Sequence, residues 1–83
     1  MHVVDYDVFA MDARRTLERM RACVRIGDYL PLVREAHRLK GSSGTLGAVA
    51  LAGLLVEMER CARGGSCAGM EARIDRALRL LGR

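Results

Sequence analysis

The sequence predicts an all-α domain folded as an antiparallel, up-down-up-down four-helix bundle. Hydrophobic residues make up 51% of the chain, aromatic residues only 4%, and proline occurs once. This composition excludes disorder and argues against a β-sandwich or barrel. Four amphipathic stretches follow one another with connections of about two to four residues. Helices joined this closely can bury their apolar faces together only as an antiparallel bundle, so we expect a single domain over residues 1–83.

The first two helices are predicted over residues 7–26 and 29–44. Gly27 is expected to end the first helix, and Asp28 to be the N-cap of the second, whose first turn accepts Pro31. A 3.6-residue period predicts the buried faces. In the first helix this face comprises Phe9, Ala13, Thr16, Leu17, Met20 and Val24, and in the second Leu32, Val33, Ala36, Leu39 and Ser43.

The third and fourth helices are predicted over residues 46–63 and 67–81. Gly64 and Gly65 are expected to end the third helix, and Ser66 to be the N-cap of the fourth. The segment 42–47 is compatible either with a loop or with a continuation of the second helix. The predicted buried residues are Leu51, Leu54, Leu55, Met58, Cys61 and Ala62 in the third helix, and Met70, Ile74, Ala77, Leu78 and Leu81 in the fourth.

Charge and cysteine content restrict the classes of function. The net charge is +4, with 13 arginines and one lysine, which favours an acidic partner such as nucleic acid or the acidic pocket of another protein. The three cysteines form no CxxC pair, so neither a disulfide framework nor a zinc site is expected. No signal peptide or membrane-spanning run is recognisable. We therefore expect a cytoplasmic domain without membrane contact of its own.

One histidine has an unusual set of neighbours, in the run AHRLKGSSG over residues 36–44. In a helix, His37, Gly41 and Gly44 share one stripe, Lys40 lies one turn away, and the histidine falls roughly 110° from the centre of the buried face. Each glycine costs a helix interior about 0.5–1 kcal/mol relative to alanine. Two glycines beside one exposed histidine therefore predict that a partner protein approaches it closely.

The same run, followed by LGA at 46–48, Leu51, Leu54 and EME at 57–59, closely resembles the histidine-containing phosphotransfer (Hpt) domains of two-component phosphorelays. The family pattern is roughly A-H-x-L-K-G-S-[SA]-x-x-x-G-A-x-x-L, and the match has no gap. The resemblance implies that His37 takes a phosphoryl group from the aspartyl phosphate of one receiver domain and passes it to another. A neutral imidazole offers the lone pair for this attack without an activating base.

Lys40 and Glu59 are expected to have catalytic roles beside His37, and Arg34 a supporting one. Lys40, one helical turn away, is the cation expected to approach the phosphoryl oxygens, and Arg34 is expected to assist it. Family members use a Glu or Gln of the next helix to support the histidine ring, and the match puts Glu59 at that position. A carboxylate there would fix the tautomer of the ring.

Four residues are expected to bind the partner. Gly41 and Gly44 would admit the active-site loops of the receiver, while Arg34 and Arg38 would complement its acidic surface and raise the association rate. The magnesium ion belongs to the receiver, and no metal or other cofactor is expected on this chain. Because the chain has no Gly-rich phosphate loop, we expect no kinase activity of its own.

The chain departs from the family at its N-terminus. Many Hpt domains carry an extra N-terminal helix, whereas here only about six residues precede the first predicted helix. The resemblance leaves open whether the chain stands alone or is the C-terminal piece of a hybrid sensor kinase, where it would form the cytoplasmic end of a membrane protein. It also leaves open whether the domain is a monomer or a dimer.

Two other functions compete with phosphotransfer. The first is a small basic module that binds nucleic acid, with GSSGT at 41–45 as the turn of a helix-turn-helix; residues 48–56 after that turn are uncharged and apolar, so we expect no nucleic acid partner. The second is a bundle of the same kind that docks to a protein without transferring a phosphoryl group.

Overall fold

A computed structural model describes residues 6–82 as four α-helices. Helix α1 spans Tyr6–Ile26, α2 spans Tyr29–Thr45, α3 spans Val49–Arg63 and α4 spans Met70–Leu81. Within these residues, α1 and α3 each pack against both α2 and α4, and no two Cα atoms of a diagonal helix pair lie within 8 Å of each other. The cross-section of 20 × 17 Å is about two helix diameters in each direction. The predicted antiparallel four-helix bundle is confirmed.

The core lies along the axis of this bundle and receives one face from each helix. The predicted buried faces are largely confirmed, although Val24, Val33, Cys61 and Leu78 pack at the margin of the core and are half-buried. None of the helices in residues 6–82 is both long enough and apolar enough to span a bilayer. The largest fully buried side chains are Leu17, Met20, Leu32, Leu39, Leu55, Met58, Met70 and Ile74.

The turn between α1 and α2 holds the N-terminus of α2 against the end of α1. Gly27 N–H donates to Val24 O at 3.2 Å and Asp28 N–H donates to Cys23 O at 3.0 Å, the bond pattern of a Schellman C-cap. Gly27 therefore ends α1 as predicted. Asp28 does occupy the N-cap position of α2, but its side chain makes no capping hydrogen bond.

Two predicted helix starts are wrong, each for the same backbone reason. Helix α2 continues to Thr45, and α3 begins at Val49 rather than at residue 46, because Gly47 takes a left-handed φ of 75°. Helix α4 begins at Met70 rather than at residue 67, because Gly69 has a φ of 69°. The hydroxyl of Ser66 accepts from the N–H of Ala68 at 3.1 Å, so it stabilises the preceding turn instead of capping α4.

Candidate functional site

His37 lies on the surface of α2, at the side of the helix that faces α3. The adjacent core positions Ala36 and Leu39 are fully buried, whereas the side chain of His37 is 64% exposed. This exposure follows from the position of the residue off the centre of the apolar stripe. The ring is therefore accessible to a partner, as the sequence predicts.

A single carboxylate on α3 lies beside this ring. Glu59 Oε2 is 3.1 Å from His37 Nδ1, and Glu59 Oε1 accepts a hydrogen bond from Lys40 Nζ at 3.0 Å. Arg63, one turn further along α3, donates to Oε2 from Nε at 3.0 Å and from Nη2 at 2.7 Å. The Glu59 side chain is only 10% exposed, so its four nitrogen contacts replace the water it loses. Two cations and one imidazole thus surround one carboxylate.

The contacts with Arg63, Lys40 and His37 keep the Glu59 carboxyl ionised. The hydrogen bonds from Arg63 lower the pKa of the Glu59 carboxyl to about 2, and Lys40 and His37 act in the same direction against the opposing effect of burial. An ionised carboxylate only accepts hydrogen bonds, so the hydrogen at the contact must be on Nδ1 of His37. The lone pair of the neutral ring is then on Nε2. Within residues 6–82, Nε2 has no hydrogen-bond partner.

The two glycines of the sequence motif leave the helix surface beside His37 bare. Gly41 and Gly44 are exposed on α2, and a Cβ added to either would meet no atom of residues 6–82 within 4 Å. Neither glycine is required by a positive φ or by a close neighbour in this part of the chain. Their cost to the helix is therefore not explained by the packing of the domain itself.

A comparison with known protein families identifies the family of the chain that carries this site. A family model described as the Hpt domain matches residues 6–82. The chain belongs to the Hpt domain family. Its role is accordingly phosphotransfer in two-component signalling, and Hpt domains interact with receiver domains. Searches of curated proteins and of solved structures gave no match.

Lys40 lies at the predicted position in this Hpt domain, but with a partner that the sequence analysis did not assign to it. Its ammonium group binds Glu59 Oε1, and its side chain is 33% exposed. Lys40 and His37 therefore contact the two different oxygens of the same carboxylate.

The two arginines predicted to bind a partner differ in their surroundings. Arg34 and Arg38 line a shallow depression together with His37 and Arg63. Arg34 is exposed and has no acidic partner within residues 6–82. The guanidinium of Arg38 instead reaches α1, where it donates to Thr16 Oγ1 at 2.6 Å and pairs with Asp12 at 3.2 Å. The charge of Arg38 is thus paired at the surface of its own chain, with Asp12 and also with Glu35 at 3.1 Å, whereas the charge of Arg34 is unpaired within residues 6–82.

Arg63 is the site residue that the sequence analysis missed. The sequence predicts it only as the last residue of the third helix, whereas the structure places its guanidinium on Glu59 and beside His37. The available signal was its position four residues after Glu59, the spacing at which opposite charges meet on a helix.

Residues 6–82 contain no group of three or more His, Cys, Asp or Glu side chains arranged to hold a metal ion. The acidic side chain of the site, Glu59, already has four nitrogen contacts from its own chain. What the site offers chemically is one nucleophilic nitrogen, one fixed carboxylate and two adjacent cations.

Proposed function

We propose that this Hpt domain is a phosphorelay intermediate, which accepts a phosphoryl group on Nε2 of His37 from the aspartyl phosphate of one receiver and passes it to the aspartate of another. The observation that carries the proposal is the contact of His37 Nδ1 with the ionised Glu59 carboxylate at 3.1 Å, on a ring that is 64% exposed. This contact leaves the lone pair on the outward nitrogen, where a receiver can reach it.

The forward step forms one bond and breaks one. The Nε2 lone pair attacks the phosphorus atom, and the P–O bond to the receiver's aspartate breaks with its electron pair going to the carboxylate oxygen. No proton has to move, because the hydrogen already lies on Nδ1. The ring gains positive charge as the N–P bond forms, and the Glu59 carboxylate is placed to stabilise that charge.

The return step is the reverse of the first. A carboxylate oxygen of the second receiver attacks the phosphorus atom, and the N–P bond breaks with its electron pair returning to Nε2. Phosphoryl transfer of this kind depends mainly on positioning and charge neutralisation. Lys40 and Arg63 supply positive charge beside the ring, and the exposed Arg34 is suited to attract the acidic surface of a receiver. We assign the magnesium ion of the reaction to the receiver.

The bare surface at Gly41 and Gly44 supports close docking. With no side chain at either of these two exposed positions of α2, the loops around the receiver's aspartate can reach the ring. The half-buried free thiols of Cys23, Cys61 and Cys67 fit a reducing compartment, so we place this relay in the cytoplasm.

The test is a two-step transfer from a receiver carrying labelled aspartyl phosphate. We expect the domain to gain acid-labile, base-stable phosphate and to lose it when a second, unphosphorylated receiver is added. His37→Gln should gain no label, whereas the matched variant His2→Gln, which replaces the other histidine of the chain, should be labelled like the wild type.

Each other outcome contradicts a defined part of the proposal. Label on His37→Gln would refute His37 as the acceptor. Label that stays on the domain in the presence of every receiver tested would refute the relay. Binding to receivers without any label would favour a docking module that transfers nothing.

A further inference from the structure

Lys40 and Arg63 both bind Glu59, but they do so from different places in the fold. We propose that Arg63 is the fixed cation, which positions Glu59 against the His37 ring throughout the reaction, and that Lys40 is the exchangeable cation, which leaves Glu59 for the phosphoryl group as the N–P bond to His37 forms. This inference rests on the proposed phosphorylation of His37 and assigns separate tasks to the two cations.

Arg63 and Lys40 contact different oxygens of the Glu59 carboxylate. Arg63 makes two hydrogen bonds, at 3.0 and 2.7 Å, and both go to Oε2, the oxygen that also contacts His37 Nδ1 at 3.1 Å. Lys40 makes one hydrogen bond, at 3.0 Å, to Oε1. Removal of Lys40 therefore leaves every contact at the histidine-binding oxygen in place, whereas removal of Arg63 takes away both cationic contacts of that oxygen.

The two cations are carried by different helices and by side chains of different stiffness. Arg63 and Glu59 lie on the same helix four residues apart, so α3 alone sets the separation of their backbones, although the Arg63 side chain is 61% exposed. A planar guanidinium that makes two hydrogen bonds is also more constrained than an ammonium group. Lys40 belongs to α2, like His37, and its group is carried on a flexible four-carbon stem. The lysine is thus the cation that is free to follow the modified ring of its own helix.

The charge balance around Glu59 also distinguishes the two cations. Before phosphorylation, the carboxylate of Glu59 faces two cations, which leaves one positive charge in excess. A phosphoryl group on Nε2 brings negative charge within reach of Lys40, one helical turn from His37. When Lys40 moves to that group, Arg63 alone still neutralises Glu59, so no buried carboxylate is left without a counter-ion. Arg34, which lines the same depression, is unpaired within residues 6–82, whereas the guanidinium of Arg38 is bound to α1.

The role of Arg63 can be tested without phosphorylation, from the ¹⁵N NMR shifts of the His37 ring at neutral pH. We expect the Nδ1–H tautomer to predominate in the wild type and in Lys40→Ala. In Arg63→Ala the two tautomers should approach equal populations, and Arg63→Lys should restore part of the bias. Arg60→Ala is the matched control, because Arg60 is an exposed arginine of the same helix without an acidic partner in residues 6–82. Wild-type tautomer populations in Arg63→Ala would overturn the positioning role.

The role of Lys40 is tested in the whole domain after phosphorylation by phosphoramidate, a small donor that needs no receiver. We expect the ¹⁵N signal of Lys40 Nζ to shift on phosphorylation while that of Arg63 Nε stays near its original position. Lys40→Ala should be labelled about tenfold more slowly, the loss expected for one charged hydrogen bond in the transition state. A Lys40 signal that does not move, or an Arg63 signal that moves in its place, would overturn the proposed division.

These outcomes separate this inference from the proposed function. If phosphoramidate labels a residue other than His37, or none, the proposed acceptor itself fails. If His37 is labelled but Lys40 stays on Glu59, only the division between the two cations fails, and the relay stands.

Discussion

His37 Nδ1 and Glu59 Oε2 lie 3.1 Å apart and join α2 to α3 at the exposed face of the bundle. The two residues are separated by 22 positions in the sequence, yet the pairing of their helices brings the ring against an almost completely buried carboxylate. Because Glu59 is ionised, this contact determines which ring nitrogen keeps its lone pair. We therefore expect Glu59 to act on the proposed transfer through the histidine, without having to touch the phosphoryl group.

The substitution Glu59→Gln is expected to slow phosphotransfer to His37 by about tenfold, since a neutral amide stabilises the positive charge on the ring less well than a carboxylate. The rate should be measured from a phosphorylated receiver in single-turnover experiments. Glu57→Gln is the matched control, because Glu57 lies on the same helix but pairs with Arg73 of α4 at 3.0 Å. An equal loss of rate in both variants would contradict a specific role of Glu59.

The lowered pKa of Glu59 predicts how the stability of the domain depends on pH. A carboxyl group with a pKa of about 2 when folded and an ordinary value of 4.5 when unfolded stabilises the fold above pH 4.5, and this contribution is lost as the pH falls from 4.5 to about 2. We expect the free energy of unfolding, measured in urea at a series of pH values, to fall more steeply over this interval in the wild type than in Glu59→Gln. Parallel curves for the two proteins would show that Glu59 is not ionised preferentially in the folded state.

Replacing Gly41, the glycine beside His37, should change the stability of the domain and its rate of phosphotransfer in opposite directions. Gly41→Ala places a methyl group where residues 6–82 offer no atom within 4 Å, so we expect the free energy of unfolding to rise by about 0.5–1 kcal/mol through helix propensity. The same methyl group should slow transfer from a receiver. Gly53→Ala is the control, since Gly53 is an exposed helical glycine of α3 with equally open surroundings. It should stabilise the domain similarly and transfer at the wild-type rate; slower transfer in both variants would contradict docking over Gly41.

The sequence predicts the helices of this fold well because the signals that define them lie within short segments of the chain. The 3.6-residue period identifies the four buried faces, and a Gly-Asp pair at 27–28 marks the first corner. The starts of α3 and α4 were misplaced because both depend on glycines that adopt a left-handed φ, at 47 and 69. Nothing in the residue type alone distinguishes such a glycine from Gly41 or Gly44, which remain helical.

The site was predictable where the family motif is contiguous, and less so where contacts cross between helices. The motif identifies His37, Lys40 and Glu59, but the contact of Lys40 with Glu59 becomes visible only when the distances are known. Arg63 was missed because its role comes from Glu59, not from the histidine. Sequence spacing also cannot show that the long side chain of Arg38 reaches back to α1.

The contrast between Arg38 and Arg34 gives the last prediction. Arg38 donates at 2.6 Å to the buried hydroxyl of Thr16 and bridges α1 and α2, so Arg38→Ala should lower the free energy of unfolding by about 1 kcal/mol. Arg34 has no acidic partner in residues 6–82, so Arg34→Ala should leave the unfolding midpoint in urea nearly unchanged. Its effect should instead fall on the rate of association with a receiver, measured by stopped flow, and should diminish as salt is added because the attraction is screened. If Arg34→Ala associates with the receiver at the wild-type rate at low salt, the charge of Arg34 does not contribute to the association rate.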